Sequence, residues 1–179
     1  MEFVFDEEKA TEAAAYLLEL AGGTLDAAML MNLLYLADRQ SLIETGMTIT
    51  GGQMIVTDYG AGLVEIVDLI HGTKRAATWN ATIATTMDRG VELASPRADY
   101  RRLARFDTQT LAELWAKYAP QCTHLTPDVL NLVEFHDCQR ESPIVDHRLI
   151  LRGAGFDEED IAFVEDRAEG YRSLRAVLG

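Results

Sequence analysis

Four histidines and two cysteines are the side chains in this sequence best suited to ligation or nucleophilic chemistry, and four of these six fall close together. Cys122-x-His124 and His136-x-Cys138 make a symmetric set of thiol and imidazole groups of the kind that holds zinc. Paired ligands in structural zinc sites are spaced so that both reach one ion. If the segment opened by Thr126-Pro127-Asp128 is helical, His136 and Cys138 point about 200° apart around its axis and cannot share a metal. The set is therefore read as two half-buried thiols and two structural histidines, with no metal. A cysteine nucleophile needs a histidine and an electropositive setting. Cys138 instead has Asp137 beside it and Glu141 nearby, and these raise a thiol's pKa.

Other chemical signatures also fall short. Neither G-x-S-x-G nor H-E-x-x-H occurs. Pairs such as Asp58 with Glu65, or Asp157 with Asp160, are expected by chance among twenty-nine acids and read as solvated faces. Gly60-x-Gly62 has the look of a phosphate cradle, but the third glycine of the dinucleotide fingerprint is replaced by Glu65, whose charge opposes a pyrophosphate. It is read as a tight turn that launches a helix. No catalytic residue, cofactor site or metal site is assigned.

The formal net charge of −13, from sixteen basic and twenty-nine acidic residues, disfavours nucleic acid and favours a basic partner. From Lys74 to Arg105 the balance reverses: Lys74, Arg75, Arg89, Arg97, Arg101, Arg102 and Arg105 face only Asp88, Glu92 and Asp99, for +4. This basic window is expected to pair with the acidic ends, Asp6-Glu7-Glu8 and Asp157-Glu158-Glu159-Asp160, within the fold. Arg101, Arg102 and Arg105 share a helical turn without the interleaved aromatics of a nucleic-acid platform. No apolar run reaches the roughly 18 residues of a membrane span. The acidic N-terminus is unlike a secretory signal, and two cysteines do not make a disulfide framework, so a cytoplasmic location is expected.

The chain reads as one domain over residues 1–179, mostly α (α+β), with several helices around a buried central helix and a small antiparallel β insertion. Asp6 is expected to cap a helix whose apolar face is Ala10, Ala13, Ala14, Leu17, Leu18 and Ala21, stopped by Gly22-Gly23. Asp26 opens the central helix, apolar nearly all round, which runs to about Glu44 and ends at Gly46. Thr48–Thr50 and Met54–Thr57 are β-branched and read as a short or bulged strand, and Leu63–Ile70 as a short helix stopped at Gly72. Thr78–Thr86 and Gly90–Ala94 read as two strands joined at Met87-Asp88-Arg89-Gly90, with Gly90 supplying positive φ. Helices follow, one capped by Asp107 with Leu111, Leu114 and Trp115, one from Thr126 to His136, and one from Asp157 to Val177 with a break at Gly170.

Several strings within these elements resemble the Panacea domain, the SocA-like antitoxin family. They are Met31-Asn32-Leu33-Leu34-Tyr35-Leu36-Ala37-Asp38, then Gly46-x-x-Ile49-Thr50-Gly51, Tyr59-Gly60, and Leu63-Val64-Glu65-Ile66-Val67-Asp68. Phe106-Asp107, Lys117-Tyr118, Leu132 to Asp137 and Pro143-Ile144 are similar to its later landmarks. Asn32 stands where the family usually has lysine, Ala61 replaces the proline of Y-G-P, and no tryptophan follows His136. The resemblance implies a protein-binding antitoxin that neutralises a cognate toxin protein, encoded by an adjacent gene, by direct contact. Tyr35, Asp38, Arg39, Tyr59 and Trp79 are the nominated contact residues; the polar groups of the central helix either hold the β insertion in place or touch the toxin. The alternatives are a nucleic-acid-associated regulator acting through Arg97 to Arg105, or an enzyme with an unrecognised site.

Overall fold

The structure, a computed structural model, describes residues 2–57, 60–74, 76–95, 99–121 and 144–178. Its elements follow from local signals in the chain. Helix α1 (Glu7–Leu20) starts where the Asp6 carboxylate accepts the Lys9 N–H at 2.9 Å, with Glu7 and Glu8 at the positive end of the helix dipole. Its buried face is small and apolar, Ala10, Ala13, Ala14, Leu17 and Leu18, and it ends at Gly22 and Gly23, both at positive φ. Strand β1 (Thr24–Asp26) leads directly into α2 (Ala27–Thr45).

Helix α2 is the centre of the molecule. Leu30, Leu33, Leu34, Tyr35, Leu36, Ala37 and Leu42 are all buried along it, and α1, α5, α6 and the β elements surround it. It stops at Gly46, whose left-handed φ of 71° lets its N–H reach the Leu42 carbonyl at 2.9 Å. Its start depends on Asp26, which accepts from Ala28 N at 2.8 Å and Met29 N at 3.1 Å. Asp26→Ala strips this cap from the central helix and is expected to cost about 1 kcal/mol in urea denaturation. An unchanged midpoint would mean that packing alone holds the first turn.

The β portion forms two small antiparallel sheets. Strands β2 (Met54–Thr57) and β3 (Gly60–Leu63) pair as a hairpin, Met54 opposite Leu63 and Thr57 opposite Gly60. The other sheet has the order β1-β5-β4, with β4 (Ile83–Thr85) and β5 (Gly90–Leu93) joined by a hairpin and Val91 facing both Leu25 and Thr85. Helices α3 (Val64–His71), α4 (Ala77–Thr82), α5 (Arg105–Tyr118), a 3₁₀ turn at Ala119–Gln121, α6 (His147–Gly153) and α7 (Glu158–Leu178) complete the described elements. Among the described residues no helix is long and apolar enough to cross a membrane.

The mostly α architecture with a small antiparallel β portion is as expected, as are the bounds of α1, α2 and α3. Local details differ. Residues 60–62 are strand rather than turn, all buried against α2. Thr78 to Thr82 is helix rather than strand: α4 packs on α1, and the Trp79 N–H is captured by the Glu7 carboxylate at 2.8 Å. At the β4–β5 turn Arg89, not Gly90, takes positive φ, at 66°. Gly90 is needed for space, since a Cβ there would lie 2.7 Å from Thr86 Oγ1. Asp107 sits inside α5 and accepts the Ala104 N–H at 2.9 Å. Helix α7 continues through Gly170, and residues 48–50 are irregular. The expected helix from Thr126 to His136, with Cys122, His124 and Cys138, lies outside the described residues.

The basic window does meet the N-terminal acids. Arg102 pairs with Asp6 at 3.7 Å and with Glu8, its own N–H is taken by the buried Glu12 at 2.8 Å, and Lys9 reaches Asp107 at 2.9 Å. The C-terminal acids pair elsewhere: Glu158 with Arg148 and Arg152, both at 2.8 Å.

Candidate functional site

The motif strings of the first hundred residues converge on one buried carboxylate. Asp38 is fully inaccessible on α2. Its Oδ1 accepts the N–H groups of Ile49 and Thr50, each at 2.9 Å, and its Oδ2 accepts the Thr50 hydroxyl at 2.5 Å. The irregular loop after Gly46 has no strand partner for these groups, so the carboxylate of the preceding helix satisfies them. Burial pushes the Asp38 carboxyl up to about 7, against the downward pull of the same three donors.

The rest of the loop is fastened in the same manner. Ser41 donates to the Met47 carbonyl at 2.7 Å, Thr50 Oγ1 accepts the Gly52 N–H at 3.1 Å, and Glu65 accepts the Gln53 N–H at 2.9 Å. Outside it lies the N-terminal segment, where the Asp6 N–H donates to the Thr50 carbonyl at 2.8 Å. Gly51, at φ 76°, is where that segment crosses: a Cβ would meet the Val4 carbonyl oxygen at 2.1 Å. On the far side of the hairpin, Val145 N–H donates to the Met54 carbonyl at 2.9 Å and Ile144 bridges to Ile55. Sequence strings far apart in the chain are thus parts of one hydrogen-bonded layer over α2.

The nominated contact residues occupy different depths. Tyr35 and Asp38 are completely buried on α2, and Trp79 is 2% exposed on α4. Their side chains present no surface in this conformation. Arg39, the next residue on α2, is half-buried. Tyr59 lies outside the described residues. Asp38 holds the loop that precedes the β2–β3 hairpin.

Two features were missed in the sequence. His147, at the start of α6, is buried with no hydrogen-bond partner for its Nε2 among the described residues, its ring edge-on to Phe3 at 5.1 Å. Burial drives its pKa down to about 4, so the ring is a neutral packing element. A histidine four residues after a proline carries no sequence signal of that kind. The other feature is a set of large apolar side chains left in water on α7, namely Phe163, Tyr171, Leu174 and Val177. Helical periodicity could have found these, because α7 carries more apolar positions than one buried face needs.

Asp38 is sealed from solvent, and among the described residues no group of histidine, cysteine and carboxylate side chains is arranged to hold a metal ion. A shallow acidic groove beside β1 and the β4–β5 hairpin is edged by Asp26, Asp88 and Glu92. Asp26 is engaged in capping α2, and Asp88 takes the Thr86 hydroxyl, which pulls its carboxyl below the ordinary value.

No curated protein and no solved structure matches the chain. A family model does, that of the antitoxin SocA-like, Panacea domain, over residues 30–175. The match begins within α2, spans the Asp38 layer and ends in α7. With most of its length inside that match, the chain belongs to the SocA-like antitoxin, Panacea domain family.

Proposed function

We propose that this protein is the antitoxin of a toxin–antitoxin pair and neutralises its toxin by direct protein–protein binding, as a single non-catalytic domain in the cytoplasm. The observation that carries the reading is the family match over residues 30–175. The physical features agree with it. A chain of net charge −13 is suited to capturing a basic protein, because complementary charge speeds encounter and rejects wrong partners. The residues that stand out in the motifs, Asp38, Thr50, Gly51 and Glu65, are spent on holding one loop rather than on forming a reaction centre.

Within this reading the nominated residues divide by depth. Arg39 touches the toxin, Tyr59 is retained as a contact, and Tyr35, Asp38 and Trp79 act from beneath by fixing the shape of the surface. The partner is the product of an adjacent gene, and its basic character makes an enzyme acting on nucleic acid or nucleotides a suitable target. Neither a nucleic acid nor a membrane is a partner of the antitoxin itself.

The test is co-expression with the adjacent reading frame. Growth arrest caused by that frame alone should be relieved when this chain is present, and the two products should copurify. Persistent arrest with no copurifying complex would sink the antitoxin reading. Rising salt is expected to weaken the complex, as exposed charges are screened.

A further inference from the structure

Helix α7 has two apolar faces, and the fold uses one. Ile161, Val164 and Ala168 are buried against the body, Val164 facing the end of α2 at Gly46. At about 100° per residue, Phe163, Leu174 and Val177 lie within roughly 60° of one another on a side of the helix turned away from Ile161 and Ala168, and exposed Tyr171 falls between that stripe and Val164. Phe163, Tyr171, Leu174 and Val177 are 64%, 50%, 55% and 83% exposed. After Ala168 no described residue of α7 is buried; Arg172 ties the helix to the body through Glu2 at 2.9 Å. A scattered exposed apolar residue is ordinary, but three aligned along more than three turns of one helix, with a fourth beside them, form a patch of the kind that proteins keep for partners.

The charges around the stripe indicate what kind of partner. Arg148 and Arg152 consume Glu158 and Glu165 on the flank facing α6. Glu159, Asp160 and Asp166 are exposed and form no ion pair among the described residues. Arg167 is turned over the Phe163 ring, 5.9 Å from its centroid, and reaches back to the Thr45 carbonyl at 3.2 Å. The apolar stripe therefore lies beside unneutralised carboxylates on a chain that is itself strongly acidic. A second copy would bring like charge to like charge at long range. A basic protein brings the opposite sign.

We propose that the outer face of α7, Phe163 with Tyr171, Leu174 and Val177, is the surface that docks the toxin, inserting into an apolar groove bordered by lysine or arginine. This rests on the antitoxin reading and adds a docking surface on α7 to the contacts proposed at Arg39 and Tyr59. The apolar side chains supply the anchors and the carboxylates supply orientation and encounter rate, the usual division of labour in helix-in-groove recognition.

The experiment uses the full chain and the product of the adjacent reading frame, with binding followed by surface plasmon resonance and neutralisation by growth. The double variant Phe163→Asp/Leu174→Asp changes only exposed positions, and circular dichroism and the urea midpoint check that it folds as wild type. Its affinity should fall by at least about 30-fold with loss of neutralisation. Met87→Asp, at a fully exposed hairpin tip remote in sequence, should bind as wild type. Glu159→Lys/Asp166→Lys should slow association by about tenfold at low salt. A double aspartate variant that folds, binds and neutralises like wild type overturns the α7 surface while leaving the antitoxin reading standing. A wild-type chain that neither binds nor neutralises overturns both. If wild type forms a concentration-dependent dimer that the aspartates dissolve without affecting toxin binding, the face belongs to a second copy and the proposal fails. Charge reversal that leaves association unchanged overturns the basic partner.

Discussion

Gly51→Ala should lower the stability of the protein by about 3–4 kcal/mol, whereas Gly72→Ala should cost only about 1 kcal/mol. Both glycines hold nearly the same left-handed backbone, φ 76° and φ 70°. An L-residue pays a similar penalty for that conformation at either place, of the order of 1 kcal/mol. What differs is the space beyond the Cα. A Cβ on Gly72 meets nothing within 4 Å, while on Gly51 it meets the Val4 carbonyl oxygen at 2.1 Å and the Val4 carbonyl carbon at 2.6 Å. These are backbone atoms with no rotamer to change, so the N-terminal segment must lift. Lifting it endangers the Asp6 N–H to Thr50 carbonyl bond at 2.8 Å and, one residue further on, the start of α1. Urea denaturation of the two variants against wild type measures the difference, and limited proteolysis should show earlier cleavage near Val4 in Gly51→Ala alone. Equal losses at the two glycines would mean that the segment does not rest on the loop as the structure has it.

The comparison of these glycines shows what a sequence can and cannot display. Gly46, Gly51 and Gly72 all look like punctuation, and for Gly46 and Gly72 that reading suffices, since both end a helix with a positive φ. Gly51 is required by a segment some forty-seven residues earlier in the chain, and no local rule reports such a crossing. The helices were legible wherever cap and periodicity agreed, as at Asp6, Asp26, Gly46 and Gly72. The reading failed where a tertiary partner overrode local preference. Thr78–Thr82 has strand-like residues but becomes helix with Glu7 holding the Trp79 N–H, and glycine-rich residues 60–62 become strand by pairing with residues 55–57 and packing on α2. Asp38 was singled out within a string, yet its task depended on loop donors eleven and twelve residues ahead. The α7 stripe was within reach of periodicity alone, but a long amphipathic helix reads as core-facing until the buried face is known.

Asp38→Asn should turn a nearly flat pH dependence of stability into a rising one. The folded-state pKa of Asp38, about 7, lies above its ordinary value of 3.8, so between these the folded protein holds the extra proton. Its contribution to stability is greatest at the acid end of that window and is lost as pH rises towards 7. His147 works in the opposite sense. Its folded pKa of about 4 lies below the ordinary 6.5, so its contribution is full above 6.5 and lost as pH falls towards 4. One pKa unit corresponds to about 1.4 kcal/mol, so Asp38 sets a falling contribution of about 4 kcal/mol and His147 a rising one of about 3 kcal/mol across nearly the same window, and in wild type the two largely offset. The asparagine keeps an acceptor for the Ile49 and Thr50 N–H groups, and its amide can donate to Thr50 Oγ1 after the hydroxyl turns. The loop therefore survives, unlike in Asp38→Ala, where three buried donors lose their acceptor at a cost of about 3–5 kcal/mol. In Asp38→Asn only the histidine slope remains, and urea midpoints should climb from pH 4 to pH 6.5 by an amount equivalent to about 3 kcal/mol. His147→Phe, which retains the ring against Phe3, should show the reverse slope, and the double variant should be flat again. If Asp38→Asn follows the wild-type pH profile, Asp38 is ionised throughout the window, and its donors outweigh the cost of burial.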